Sequence, residues 1–224
     1  MIAIFYGFLL TLIAYLLAKP CNRRLPQVPV IVFSMIFVLL LLWIFGIPYQ
    51  EYMDLVNPFF NHLLGYVTVA LAIPLAAMRY DDLPIKGILS ILAFASFSAV
   101  ALPMGLAYLL HLASPDIMAF ATRAVTTPIA INIAQLIDAP VSLAILIVIL
   151  SGVIGAAFSP FILKNIQDER ASGLALGLAA HAIGTAQAWQ RSTTAGRYAA
   201  FGMAVNAVFT AIWLPLFILF LNKM

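Results

Sequence analysis

The sequence predicts an all-α integral membrane protein. Three observations carry that prediction. Hydrophobic residues make up 65% of the chain and charged residues only 8%, whereas a soluble domain carries about 25% charged residues. The apolar stretches are long, and a helix crossing roughly 30 Å of hydrocarbon needs about 20 apolar residues. The few charges fall between those stretches: Lys19, Arg23 and Arg24; Glu51 and Asp54; Arg79, Asp81, Asp82 and Lys86; Asp116 and Arg123; Asp138; Lys164 to Arg170; Arg191 and Arg197; and Lys223. No stretch alternates like a barrel strand, which leaves helices as the way to satisfy backbone groups in lipid.

Eight apolar segments follow, at about 2–18, 28–47, 60–78, 86–111, 117–137, 141–163, 171–189 and 198–221. Segment 1 has no basic stretch before its apolar run and reads as a retained span rather than a cleaved signal. Segments 2, 4 and 6 follow Pro29, Pro84 and Pro140, spaced 55 and 56 residues apart. The segments after them are less regular and hold Thr68, Thr127 and Thr185, at offsets of 59 and 58. An internal duplication, parallel or inverted, explains these offsets. So does the bare recurrence of evenly spaced helices, and both readings stand.

Lys and Arg favour cytoplasmic loops, which places the 19–24 cluster and the 79–86 loop inside. Full crossing by all eight segments leaves Lys164 and Arg170 outside. If segments 5 and 7 instead enter and leave on one side, Lys164, Arg170, Arg191 and Arg197 all lie inside, and the charge count leans this way. The expected fold is thus a single polytopic domain over 1–224, with segments 5 and 7 as the candidates for broken or re-entrant helices.

Several function classes are poorly supported. One cysteine, Cys21, allows neither an internal disulfide nor a multi-cysteine metal site. A net charge of +3 without a soluble basic face gives no nucleic-acid partner. P-loop, GxSxG and HExxH motifs are absent from the sequence, as is a carboxylate pair within a span. The expectation is a protein that is not an enzyme and takes no cofactor or metal.

The polar residues of segments 5 and 7 carry what chemistry there is. Segment 5 reads FATRAVTTPIAINIAQLID. Pro128 lacks an N–H and disfavours the helical region for Thr127. A helix restarting there presents free N–H groups and a positive dipole end to an anion, with Thr126 and Thr127 hydroxyls beside it. The plainer alternative is a proline kink repaired by threonine. Arg123, one turn earlier, is either a functional intramembrane cation or a side chain snorkelling to the interface. Asn132 shares the helix face of Pro128 and either lines the same cavity or bonds a neighbouring helix. Segment 7 reads GLALGLAAHAIGTAQAWQ, with His181, Thr185 and Ala188 on one helix face. Gly173, Gly177 and Gly184 suit close packing. His181 is a candidate for a polar cavity and, as a further option, for proton carriage. Gln187 and Asn206 are further amides in apolar runs, serving a ligand or interhelical hydrogen bonds.

At VTTPIA (125–130), LSGVIGA (150–156) and RASGLALGLAAHAIGTAQA (170–188) the sequence resembles the LrgB/CidB family of bacterial membrane proteins, with weaker agreement before GYVTVALAIPL (65–75). The resemblance implies two rival functions. One is antiholin-like or holin-like modulation of murein hydrolase activity and autolysis beside a small LrgA/CidA-like membrane partner. The other is transport of glycolate, glycerate, pyruvate or a similar small carboxylate, as in plastid relatives. The chain departs from the family's usual pattern at Arg123 (commonly lysine), Asn132 (commonly acidic), Ala180 (commonly serine) and Gln187 (commonly arginine). The change at Gln187 removes a carboxylate clamp. It puts the substrate, and transport itself, in doubt, although joint loss of the acid at 132 and the base at 187 is nearly charge-neutral. The combined expectation is a secondary transporter of small monocarboxylates in the bacterial inner membrane, multi-pass and homo-oligomeric. Its anion site would comprise Arg123, Thr126, Thr127, Pro128, Asn132, His181, Gly184, Thr185 and Gln187. The antiholin-like modulator is the alternative.

Overall fold

The computed structural model describes residues 2–26, 28–70, 73 and 85–221. Among them the regular structure is entirely helical. The loop expected at 79–84, Pro84, most of 71–78 and the Thr68 side chain lie outside what is described. The chain forms two compact units, Met1–Ala70 and Leu71–Met224.

In the first unit, α1 (Ile2–Arg24), α2 (Val30–Phe45) and α3 (Tyr49–Ala70) pack together. Helix α1 runs on past residue 18, so Arg23 and Arg24 occupy its last turn, where they complement the negative dipole end. Pro29 precedes the first turn of α2, a position that needs no N–H. Gly46 ends α2 with φ 64°, and its N–H returns to the Trp43 and Leu42 carbonyls. Helix α3 starts at Tyr49, well before the expected residue 60, and takes in Glu51 and Asp54. Gln50 donates to the Asp54 carboxylate at 3.0 Å, one turn on, so the polar residues support this turn instead of ending it. Thr11 and Tyr52 join α1 to α3 by a 2.8 Å hydroxyl bond.

The second unit holds α4 (Ile85–Leu109), α5 (Ser114–Phe120), α6 (Thr127–Leu136), α7 (Val141–Ile162), α8 (Glu169–Arg191) and α9 (Thr193–Leu221). Expected segment 5 is therefore two short helices with a non-helical stretch between them. Its halves measure about 10 and 15 Å, each far short of the roughly 30 Å hydrocarbon layer. Among the described residues, four helices are long and apolar enough to cross a membrane: Phe5–Arg24, Lys86–Leu109, Val141–Ile162 and Thr193–Phe220; Val30–Phe45 is a shorter apolar helix. Of the eight apolar segments expected from the sequence, those at 2–18, 86–111, 141–163 and 198–221 correspond to these four helices, and part of the one at 60–78 lies outside the described residues.

Helix α8 is a hairpin. His181 has φ 39° and ψ −124° and reverses the chain. The side chains of Arg191 and Glu169 meet at 2.9 Å although they are 22 residues apart; a straight helix would separate those residues by about 33 Å. Arg191 also donates to the Ile166 carbonyl (2.8 Å) and the Ser192 hydroxyl to Glu169 (2.8 Å). Lys164, Arg170, Arg191 and Arg197 consequently gather around one end of the hairpin.

Helix α9 starts at this mouth, at Thr193 and not at residue 198, and runs alongside the first hairpin leg. A Cβ on Gly173 would strike the backbone of Ala195, and one on Gly177 the backbone of Ala199. The four-residue spacing keeps both glycines on one face, so two backbones come into contact.

The core of the unit is mainly apolar, built around Val100, Ile133, Val148 and Leu214, with a few polar side chains set into it, and its surface is apolar too. Ser96, Thr122, Thr126, His181, Asn206 and Thr210 are buried, while Phe94, Leu102, Phe158, Ile162, Val208 and Leu216 are exposed. A surface of this kind suits hydrocarbon, not water. Inside, Trp213 donates to the Ser96 hydroxyl (3.0 Å), which pairs with Thr210 (2.8 Å), tying α4 to α9.

Candidate functional site

The first break spans residues 121–126. The backbone leaves the helix after Phe120, so that Arg123 lies inside the break and not before it, and the next helix restarts one residue before Pro128: Thr126 is extended (φ −75°, ψ 153°), while Thr127 and Pro128 already sit in the first turn of α6. Proline fits there because first-turn N–H groups have no intrahelical partner. No side chain caps this helix end. An unwound stretch inside a bundle must find partners for its carbonyls, and two neighbouring helices supply them. The Ser151 hydroxyl of α7 donates to the Arg123 carbonyl at 2.8 Å, and the Asn206 amide of α9 donates to the Ala124 carbonyl at 2.8 Å.

The second break is the hairpin tip. The His181 ring is buried, with Nε2 3.1 Å from the Val148 carbonyl and 3.4 Å from Ser151 Oγ. A carbonyl only accepts, so Nε2 carries the proton in that bond. Positive φ at a non-glycine residue costs about 1–3 kcal/mol, and these contacts hold it. A Cβ on Gly152 would come within 2.6 Å of the imidazole Cε1, so the glycine of α7 makes room for the ring. A Cβ on Gly155 would likewise come 2.9 Å from the Ala180 Cβ.

Both breaks therefore meet the middle of α7. Ser151 joins them, donating to the Arg123 carbonyl of the first break and lying beside His181 of the second. Sequence reasoning did not single out Ser151; its signal was a hydroxyl beside a glycine in the middle of an apolar run.

Two buried oxygens at the first break have no hydrogen-bond partner, Thr126 Oγ1 and Asn206 Oδ1. The guanidinium of Arg123, partly buried, has no acidic partner among the described residues. The ion pairs among the described residues are Arg170–Asp168 and Arg191–Glu169. At the hairpin mouth, the Arg191 and Ser192 hydrogen bonds hold the exposed Glu169 carboxyl below its ordinary value, and Arg170 does the same for Asp168.

The other expected site residues divide. Thr127 and Pro128 lie at the break, partly buried. Asn132 is exposed and donates to the Pro128 carbonyl of its own helix at 3.0 Å. The expected common face of His181, Thr185 and Ala188 does not survive the chain reversal at His181. Thr185 is buried but reaches Met203 Sδ of α9 at 3.7 Å. Gly184 is a packing position, where a Cβ would strike the Leu176 carbonyl of the opposite leg. Gln187 is partly buried on the second leg.

An apolar-surfaced helical unit with four helices long and apolar enough to cross a membrane among the described residues, and two interrupted helices meeting at one point, points to a helical membrane protein. The profile of the LrgB-like family matches residues 11–220, and the chain belongs to that family. It is 32% identical to the uncharacterized protein YwbG of Bacillus subtilis over 95% of this chain and 96% of that one. It is also 32% identical to the holin-like protein CidB of Staphylococcus aureus over 94% of each chain. An uncharacterized protein of Haemophilus influenzae is 31% identical over 94% of this chain and 92% of its own. No solved structure matches. Of these three relatives, the one with a functional name is called holin-like.

Proposed function

We propose that the protein is a carrier of small monocarboxylates, of the glycolate, glycerate or pyruvate class, in the bacterial inner membrane. The observation that carries this reading is Arg123: a partly buried guanidinium at a helix break, with no acidic partner among the described residues. A guanidinium set within an apolar-surfaced helical unit is costly unless it meets a charge in use. The uncapped N-terminus of α6 adds N–H donors and a positive dipole end for the same anion. The carboxylate lies between Arg123 and that helix end, with Thr127 beside it, and His181 and Ser151 hold the two breaks in register. Asn132 and Gly184 drop out of the binding set. The hairpin enters and leaves on the cytoplasmic side, as the gathering of Lys164, Arg170, Arg191 and Arg197 at its mouth favours. Discontinuous helices whose ends face the substrate are a recurring transporter device.

The test is uptake of radiolabelled glycolate, glycerate and pyruvate into proteoliposomes of the purified protein, with and without a pH gradient. Uptake saturates. Arg123→Ala lowers its efficiency by about 10- to 100-fold, the loss of a charge-assisted pair of about 1.5–3 kcal/mol, and Arg123→Lys keeps part of it. Saturable uptake unchanged in Arg123→Ala removes the arginine from the site. Absence of saturable uptake for all three substrates refutes the carrier reading.

The name of the Staphylococcus aureus relative favours a second, holin-like reading, which we propose in the form of a modulator of murein hydrolase activity and autolysis working through an LrgA/CidA-like small membrane partner. It predicts partner-dependent autolysis that is indifferent to Arg123→Ala.

A further inference from the structure

Asn206 and Thr126 pose a problem that the anion site does not solve. The Asn206 amide is oriented by the Ala124 carbonyl, which can only accept, so Nδ2 faces it and Oδ1 faces away. That oxygen is an acceptor only, sits on a residue 2% exposed, and has no partner. Thr126 stands two residues beyond Ala124 and is 6% exposed. In the usual cap its hydroxyl would accept from the first turn of α6. It makes no such bond, and Oγ1 is also unpartnered. An unpaired buried oxygen costs about 1–3 kcal/mol, so one on Thr126 and one on Asn206, whose amide bonds the backbone two residues before Thr126, are unexpected together unless something electropositive joins them. The N–H groups and guanidinium that suit a carboxylate leave such oxygens unsatisfied.

We propose that Thr126 and Asn206 form a monovalent-cation subsite of the sodium class, with Asn206 Oδ1, Thr126 Oγ1 and carbonyls of the unwound 121–126 stretch as ligands. Hard cations take oxygen ligands, and unwound carbonyls serve this role in carriers with interrupted helices. The ligands are neutral. Among the described residues no cluster of three or more acidic, histidine or cysteine side chains could hold a metal, which disfavours a divalent ion and suits a single charge. As a coupling site it rests on the carrier reading. Arg123, adjacent in sequence to Ala124, repels a cation until a carboxylate neutralises it. Bound anion and bound cation then favour each other by equal factors, and transport of the pair is electrically neutral.

Purified wild-type protein is titrated with NaCl against KCl and choline chloride at constant ionic strength, with thermal unfolding as the readout. The same preparations are assayed for carboxylate uptake under a sodium gradient. Saturable stabilisation specific to sodium is expected, and Asn206→Leu weakens the apparent sodium affinity by about tenfold or more. Thr126→Val, close in shape but lacking the hydroxyl, does the same, while Thr126→Ser restores it and Ser96→Ala leaves it unchanged. Should Asn206→Leu fail to fold, the Thr126 pair decides. No sodium-specific stabilisation overturns the subsite whatever the uptake result. Stabilisation undiminished in the variants overturns it as well, since the ion then sits elsewhere. Sodium stabilisation with no carboxylate uptake upholds the subsite and refutes the carrier.

Discussion

Replacing Gly177 by alanine tests the helix contact that holds the hairpin against α9. The added Cβ would lie 2.8 Å from Ala199 Cα and 2.7 Å from its carbonyl carbon. Non-bonded carbons prefer about 3.5–4.0 Å, so the helices must part by roughly 1 Å. The obstructing atoms are backbone, and no rotamer change moves them aside. Overpacking of this kind costs about 1–3 kcal/mol. Gly105 in α4 is the control, because an added Cβ there meets nothing within 4 Å. Its alanine variant gains about 0.5–1 kcal/mol from helix propensity alone. For a chain of this size 1 kcal/mol moves the midpoint by about 2–4 °C. Thermal unfolding in detergent therefore shows Gly177→Ala lower than wild type by about 2–12 °C and Gly105→Ala level or higher. A Gly177→Ala protein as stable as Gly105→Ala would refute the backbone contact between α8 and α9.

Other outcomes follow from the hairpin mouth and the centre. The Glu169 carboxyl lies below its ordinary value of 4.5 through Arg191 and Ser192. Its contribution is thus present above that ordinary value and lost as pH falls through the lowered one. Protection of the amides around residues 166–170 and 191–193, taken relative to their intrinsic exchange rates, falls as pH drops through that lowered value, and Glu169→Gln shows the reduced protection already at neutral pH; a pH-independent mouth contradicts the ion pair. Ser151→Ala leaves the Arg123 carbonyl without its hydroxyl partner and costs about 1–3 kcal/mol, seen as a lower unfolding midpoint, while Ser151→Thr retains most of the stability. Equal midpoints for the two variants would remove Ser151 as the link between the breaks.

Composition and span length by themselves determined the class of this protein, because the energy of apolar surface depends on what a residue is and not on its neighbours. Pro128 placed the restart of the second half of segment 5 to within one residue, since its constraint is local, but not the opening of the break at residue 121, which puts Arg123 inside it. Family membership was legible too, in the sequence blocks around residues 125–130 and 170–188. The second break was not. Nothing local marks His181 as a reversal point in an alanine- and glycine-rich run that scores as one helix. The turn is held by Val148, Ser151 and Gly152, about 30 residues away in sequence. For the same reason Thr185 left the face of His181 and Ser151 came to lie beside that ring. The pairing of Arg191 with Glu169, and of Asn206 with the Ala124 carbonyl, likewise exists only once the chain has reversed and packed. A helical face can be read from sequence only while the helix stays straight, and here tertiary contacts decided where it did not.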